Sequence, residues 1–279
     1  MKSITLPDEL ILDASLSINV FDYKSTQELS KQQIILDKNT FSFLREGTKE
    51  VFFDNSSFSI DSREFLLMKS GNCLMTEKLS DQRNNYGSVL LFFSNEMVLK
   101  FIRKFELNKT SHPTYPSVYS FKYDPFIQRF VQSLLDISQL STNAQNNLLE
   151  TKFEEIMLYL IESKGPDFLH ALTSNRNDIS EKFVQTIESN QLNKLTLKEL
   201  AFLCNMSVSS FKREFKKHYD ESPMKWFQDK RLEYAFQLIK EEQKRPSDIF
   251  FQVGYDNLSS FVQAYKGKFG VTPKRHQNS

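Results

Sequence analysis

The spacing of apolar residues changes period along the chain. Over roughly the first 95 residues, β-branched and aromatic residues gather in short runs: Ser17–Tyr23, Gln33–Leu36, Thr40–Leu44, Glu50–Phe53, Phe58–Ile60, Glu64–Met68 and Val89–Phe93. Turn-forming pairs and triplets separate them, among them Glu46-Gly47, Asp54-Asn55, Ser70-Gly71-Asn72 and Arg83-Asn84-Asn85. Short strands so closely spaced predict an antiparallel sandwich or a small barrel.

The period then becomes helical. Asn95–Leu107 sets Met97, Phe101, Ile102 and Phe105 on one face, and Asp124–Leu140 and Ala144–Ser163 are two further amphipathic segments. In the last of these Lys152 interrupts the apolar stripe, and Gly165-Pro166 ends it. Leu134, Leu135 and Leu149 offer a face for a homodimer or for packing against the strands. The polar stretch Thr173–Asp178 reads as a linker, giving two expected domains, 1–172 and 179–279.

From Ile179 onward the pattern is helix after helix, and it contains a repeat. In the first unit, Leu195–Tyr219, Thr196 and Glu199 form a capping box. Leu197, Leu200, Ala201 and Leu203 follow as a buried face, with Ala201 small enough for two helices to cross closely. Asn205 suits a left-handed turn. Ser207 then caps a second helix with Val208, Phe211 and Phe215 inward, and Ser209, Lys212, Arg213, Lys216 and Lys217 outward. In the second unit, Pro246–Phe269, either Ser247 or Asp248 can cap the first helix, Gly254 suits the turn, and Asn257 or Ser259 caps a helix with Phe261, Tyr265 and Phe269 inward. Pro223–Lys240 reads as one connecting helix with Pro223 in its first turn. A helix anchored on one side and basic on the other can enter the major groove, and readers about 34 Å apart share one face of a duplex.

Residues 181–275, about a third of the chain, resemble the DNA-binding domain of the AraC/XylS family of transcription regulators. The stretches that carry the likeness are LTLKELAFLCNMSVSSFKREFKKHYDESPMKWFQDKRLEYAFQLI and SDIFFQVGYDNLSSFVQAYKGKFGVTPKRHQ. The most specific signature is Val253-Gly254-Tyr255, Ser260-Phe261 and the Phe269–Pro273 tail. The resemblance implies base-reading positions at Ser209, Lys212 and Arg213 in the first unit and at Leu258, Ser259 and Gln263 in the second. Phosphate contacts are expected from Lys216, Lys217, Lys266 and Lys268. Two departures stand out: Gln263 where Arg is frequent, which favours adenine edges over guanine, and Phe250 where the family usually has a small residue.

Composition and charge sharpen this picture. The protein is 279 residues long, 39% hydrophobic and 25% charged, with a net charge of +1. That balance hides an asymmetry: residues 181–279 hold 17 basic and 12 acidic side chains, residues 1–180 hold 19 and 23. Only the C-terminal part is thus suited to a polyanion such as double-stranded DNA. Cys73 and Cys204 show no pairing pattern, MKSITLPDEL lacks a signal peptide's apolar core, and no apolar run reaches membrane-spanning length, which leads to an expectation of a cytoplasmic protein without membrane contact.

For the N-terminal half, the family suggests sensing or dimerisation on a cupin-like barrel with helices behind it. A metal-holding barrel needs several histidines, and residues 1–169 contain His112 alone. No nucleophile motif or glycine-rich phosphate loop is present, so neither catalysis nor a cofactor is expected. The phenylalanines Phe41, Phe43, Phe52, Phe53, Phe58, Phe65, Phe92 and Phe93 fill a core or line an apolar pocket. Arg45, Lys49 and Arg63 are either surface charges or partners of an acidic ligand.

The expected protein is therefore α+β: a β-rich cupin-like barrel with helices, then an all-α domain of two helix-turn-helix units joined by a linker helix. It regulates transcription at promoter DNA, as an activator touching RNA polymerase, with a small-molecule or protein effector or a second copy at the N-terminal domain. Two rivals are a cupin-type enzyme with a DNA-targeting tail and an interaction adaptor that has lost DNA binding.

Overall fold

The computed structural model describes residues 3–10, 12, 16–81, 84–107, 115–173 and 179–277. His112, and residues 174–178 of the expected linker, lie outside them. The chain divides into two compact units, Met1–Ile179 and Ser180–Ser279.

The first unit is α+β. Among the described residues ten strands run β1 Ile4–Leu6, β2 Ile18–Ser25, β3 Leu29–Leu36, β4 Asn39–Glu46, β5 Thr48–Phe52, β6 Ser57–Asp61, β7 Glu64–Met68, β8 Gly71–Lys78, β9 Tyr86–Phe93 and β10 Val118–Lys122. Helix α1 (Asn95–Lys104) lies between β9 and β10, and α2 (Pro125–Ser138), α3 (Thr142–Lys164) and α4 (Asp167–Thr173) follow. The expected barrel does not close. The strands form two separate five-stranded sheets, β1-β3-β8-β5-β6 and β10-β7-β4-β9-β2. All pairings are antiparallel except the parallel edge pair of β1 with β3.

The second sheet has a core on each face, because strand residues alternate sides. Phe41 and Phe43 of β4, Phe65 and Leu67 of β7, and Val89, Leu91 and Phe93 of β9 pack with Phe130 and Leu134 of α2 and Phe153 and Ile156 of α3. Their neighbours in sequence, Leu44, Leu66 and Met68, face the first sheet, where Ile34, Leu36, Val51, Cys73 and Met75 meet them. Burial on both faces explains why Val89–Phe93 is continuously apolar. The phenylalanines of the second sheet therefore fill a core: the ring of Phe43 lies 5.0 Å from Phe65 and 5.8 Å from Phe130.

The helices follow their caps. Ser94 accepts from Met97 N at the start of α1, and Asp124 accepts from Ile127 N with Pro125 in the first turn of α2. Leu134 and Leu149, read as candidates for a dimer face, are buried in the helix-side core, and Leu135 packs against it. Lys152, the break in the α3 stripe, places its ammonium 5.1 Å from the Phe130 ring and 2.7 Å from Glu155 Oε2. An amphipathic lysine can thus lie along a core face with its head still paired.

The second unit is all helical: α5 Ile179–Ser189, α6 Leu197–Leu203, α7 Val208–His218, α8 Pro223–Lys240, α9 Pro246–Ile249, α10 Leu258–Phe269 and α11 Pro273–Gln277.

Candidate nucleic-acid interface

The first helix-turn-helix unit is α6 and α7. The capping box forms as the sequence predicts: Glu199 N donates to Thr196 Oγ1 at 3.3 Å, and Thr196 N donates to Glu199 Oε2 at 2.6 Å. Leu200, Ala201 and Leu203 are buried. Asn205 turns the chain with φ of 54°, and Ser207 caps α7 by accepting from Ser210 N at 3.1 Å. Phe211 and Phe215 anchor α7, the first against Phe183 of α5 at 5.3 Å between ring centres, the second against Trp226 and Phe227 of α8 at 5.9 and 6.2 Å. Motif reading alone does not disclose α5 as the floor under α7; its signal is the apolar pair Phe183 and Ile187, both buried.

The opposite side of α7 is exposed at Ser209, Lys212, Arg213, Lys216 and Lys217. Lys217 is paired with Glu214 at 2.7 Å, and Glu214 also faces His218 Nε2 at 3.4 Å. Among the described residues no ion pair draws Lys212, Arg213 or Lys216 away from solvent. The face is thus a row of hydrogen-bond donors on a helix fixed from behind.

The second unit repeats the first at the level of single backbone bonds. In the first turn Asn205 N donates to Phe202 O and Met206 N to Ala201 O, both at 2.9 Å. In the second, Gly254 N donates to Phe251 O at 3.0 Å and Tyr255 N to Phe250 O at 2.9 Å. Each turn closes by a bond three residues back and another five residues back, a helix-ending pattern that needs one left-handed residue; Gly254 supplies it with φ of 87°. Phe250 occupies the place of Ala201. Its bulk does not break the pattern, because its ring is only half-buried and packs against the Leu232–Tyr265 core.

The capping of α9 departs from expectation. Neither Ser247 nor Asp248 caps it. Arg245 holds the N-cap position without a side-chain bond, Pro246 opens the helix, and Ser247 Oγ bonds Asp248 Oδ1 at 2.9 Å instead. The proline has no N–H to satisfy there, so a side-chain cap is less needed. Of the two candidates for α10, Asn257 is the cap, accepting from Ser260 N at 2.8 Å. Phe261 and Tyr265 are buried, while Leu258, Ser259, Gln263 and Lys266 are exposed.

Lys268 is placed differently from Lys266. Its ammonium donates to Asp229 O at 3.1 Å and to Glu233 Oε1 at 3.0 Å, and lies 3.4 Å from Asp229 Oδ1. These bonds fasten α10 to α8, so the charge expected at a phosphate is neutralised within the protein. Desolvation opposes the carboxylate form of Glu233, but Lys268 and Lys230 outweigh it and hold that carboxyl below its usual range.

Helix α8 joins the units by belonging to both cores. Trp226 and Phe227 near its start meet Phe215, while Leu232, Ala235, Leu238 and Ile239 pack with Ile249, Val253, Phe261 and Tyr265. The tail closes the second core: His276 Nδ1 lies 3.0 Å from Tyr265 OH, and Gln277 Nε2 donates to Gln243 O at 3.1 Å.

Elsewhere, Arg45 lies 3.5 Å from Asp22 and Arg63 2.5 Å from Asp61, both at the surface. Lys49 is not a solvated charge. It is 2% exposed and pairs with Glu77 at 3.2 Å in the space between the sheets. Among the described residues no helix is long and apolar enough to cross a membrane.

Comparison with known proteins covers both units. A family described as "ExsA N-terminal regulatory domain" matches residues 39–172, and a helix-turn-helix domain family matches residues 200–279. The chain is 26% identical over 238 residues to the HTH-type transcriptional regulator ExsA of Pseudomonas aeruginosa, an alignment spanning 83% of each protein. It is 31% identical over 156 residues to the virulence regulon transcriptional activator VirF of Yersinia enterocolitica, spanning 56% of this chain and 57% of that one. Among solved structures, ToxT from Vibrio cholerae aligns over 94% of this chain and 98% of its own, at 14% identity and a TM-score of 0.39.

Proposed function

Because the chain belongs to the AraC/XylS family of DNA-binding transcription regulators, we propose that α7 and α10 are its two recognition helices, each laid in the major groove of promoter DNA. Arg213 and Lys212, with Ser209 at the start of the helix, face base edges in one half-site. Gln263, with Leu258 and Ser259, faces them in the other, Gln263 suiting adenine and Leu258 a thymine methyl. Lys216, Lys217 and Lys266 lie against phosphates and set the register. The observation that carries this reading is the geometry of α7: a row of exposed donors at Ser209, Lys212, Arg213 and Lys216 opposite a side immobilised by Phe211 and Phe215.

The protein acts in the cytoplasm and activates transcription by touching RNA polymerase, in line with the activator named among its relatives. Its N-terminal unit is the regulatory part, responding to an effector or to a second copy, in line with the regulatory-domain family that it matches. Genome-wide footprinting of the bound DNA tests the reading. It predicts two half-sites about one helical turn apart, and Arg213→Ala should relax sequence preference in one of them. A footprint without paired half-sites, or one unaltered by Arg213→Ala, overturns it.

A further inference from the structure

We infer that the groove between α10, the start of α9 and α11 seats the backbone of one DNA strand, with Arg245 and Lys274 holding a phosphate. The inference rests on reading α10 as a DNA reader, and it adds a phosphate site that lies outside both readers.

The site begins with an arginine in an unfavourable place. The two turns match bond for bond, so counting five residues back from Ala201 and from Phe250 puts Arg245 in the position of Thr196. Thr196 caps α6 by accepting from Glu199 N with its hydroxyl. Arg245 has no acceptor to offer and makes no capping bond. A cation is also the wrong charge for a helix start, where the backbone dipoles present their positive end. Nothing within the described residues offsets this: the Arg245 side chain is exposed and has no hydrogen bond or ion pair there. The carboxylate of Asp248, one turn on, takes a bond from Ser247 Oγ at 2.9 Å instead. A residue that weakens its own helix and is exposed without a partner fits a partner outside the protein.

Arg245 lines an open groove together with Lys274, Leu258 and Val262. Lys274 is likewise exposed, with no partner among the described residues. The walls of the groove hold these two cations and no carboxylate. Gln277 Nε2 donates to Gln243 O at 3.1 Å and to Lys244 O at 3.4 Å, so α11 is fastened to the loop that carries Arg245. The elements bearing the two cations are thus fixed together before any DNA arrives. Leu258 belongs both to this groove and to the outward face of α10. A duplex whose major groove takes α10 therefore brings the edge of one strand here. Its sugars would rest on Leu258 and Val262. The Arg245 guanidinium suits two phosphate oxygens at once, and Lys274 adds a compact point charge. The pair also makes good the charge of Lys268, which Asp229 and Glu233 keep from the DNA.

The test is a set of anisotropy titrations of the full-length protein over a range of salt. One duplex spans the footprinted half-sites and the other is scrambled. Arg245→Ala and Lys274→Ala should each reduce the slope of log affinity against log salt by about one, with equal losses on both duplexes. Single methylphosphonates remove one phosphate charge at a time. One position should weaken binding by the wild type and have no further effect on the Arg245→Ala/Lys274→Ala double variant. Arg245→Ser separates binding from folding. Serine supplies the missing cap, so this variant should melt higher than wild type while binding DNA more weakly. An unchanged slope in either single variant, a loss confined to the cognate duplex, no coupled methylphosphonate position, or an Arg245→Ser protein that melts lower overturns the inference. Steep salt dependence in both wild type and double variant overturns the groove alone; a flat dependence in wild type overturns the reading of α10 as well.

Discussion

Lys268 and Glu233 lie 3.0 Å apart, on α10 and on the connecting helix α8. Lys266, two residues earlier, points to solvent. Two lysines on one helix therefore have separate tasks. Lys266→Ala should weaken DNA binding almost equally on all sequences and reduce the slope of log affinity against log salt by about one. Lys268→Ala should leave that slope unchanged and lower the stability of the C-terminal unit by about 0.5–1 kcal/mol, the size of a partly exposed pair. Salt titrations by fluorescence anisotropy, with a calorimetric melt of each variant, distinguish the two.

Arg213 is expected to read bases. Arg213→Ala should lose roughly 1–3 kcal/mol at the cognate site and little on unrelated DNA. Measuring the variant on cognate and scrambled duplexes decides the matter: an equal loss on both would make Arg213 a phosphate contact.

The two turns give a matched pair of stability predictions. At Gly254, with φ of 87°, an added Cβ would come within 3.1 Å of Arg231 Nε. Gly254→Ala should therefore lower the melting transition of the C-terminal unit by an amount equivalent to about 1–2 kcal/mol. Asn205→Gly, at φ of 54°, should be neutral or slightly stabilising, because glycine adopts that conformation without a steric penalty. A destabilised Asn205→Gly would show that the Asn205 side chain, and not its backbone, matters to the turn.

Acid sensitivity should be visible at Glu214. The hydrogen bond from Lys217 is the main cause that holds its carboxyl below the ordinary value of 4.5; partial burial opposes it, and His218 adds to the lowering. A carboxyl with a depressed folded-state value stabilises the fold above its unfolded value and loses that contribution as pH falls through the folded one. Wild type should therefore lose more stability than Glu214→Gln between pH about 5 and 3. Parallel curves for the two proteins in denaturant titrations would remove Glu214 from the account.

Much of the second unit is legible from residue types, because its signals are local. The Thr196–Glu199 box, the Ser207 cap, the left-handed turns and the Pro223–Lys240 helix all depend on neighbours within five residues. The first unit is less so. β8 begins at Gly71-Asn72, which alone reads as a turn, and it becomes a strand only because β3 and β5 lie on either side of it. Lys49 reads as a surface charge because the residue that neutralises it lies 28 positions away on another strand. Lys268 escapes for the same reason: its partners sit on a different helix, and sequence periodicity carries no record of them. The barrel expectation fails because local patterning specifies strands but not whether the two sheets join at their edges.

The connecting helix contributes side chains to both cores, so neither half can tilt without disturbing the other's packing. It works as a ruler that does not stretch. On the proposed docking of α7 and α10, the promoters would be constrained in spacing as well as in letters. Inserting about five base pairs between the half-sites would turn one of them to the far side of the duplex, a change that no adjustment of side chains on either reader can repair.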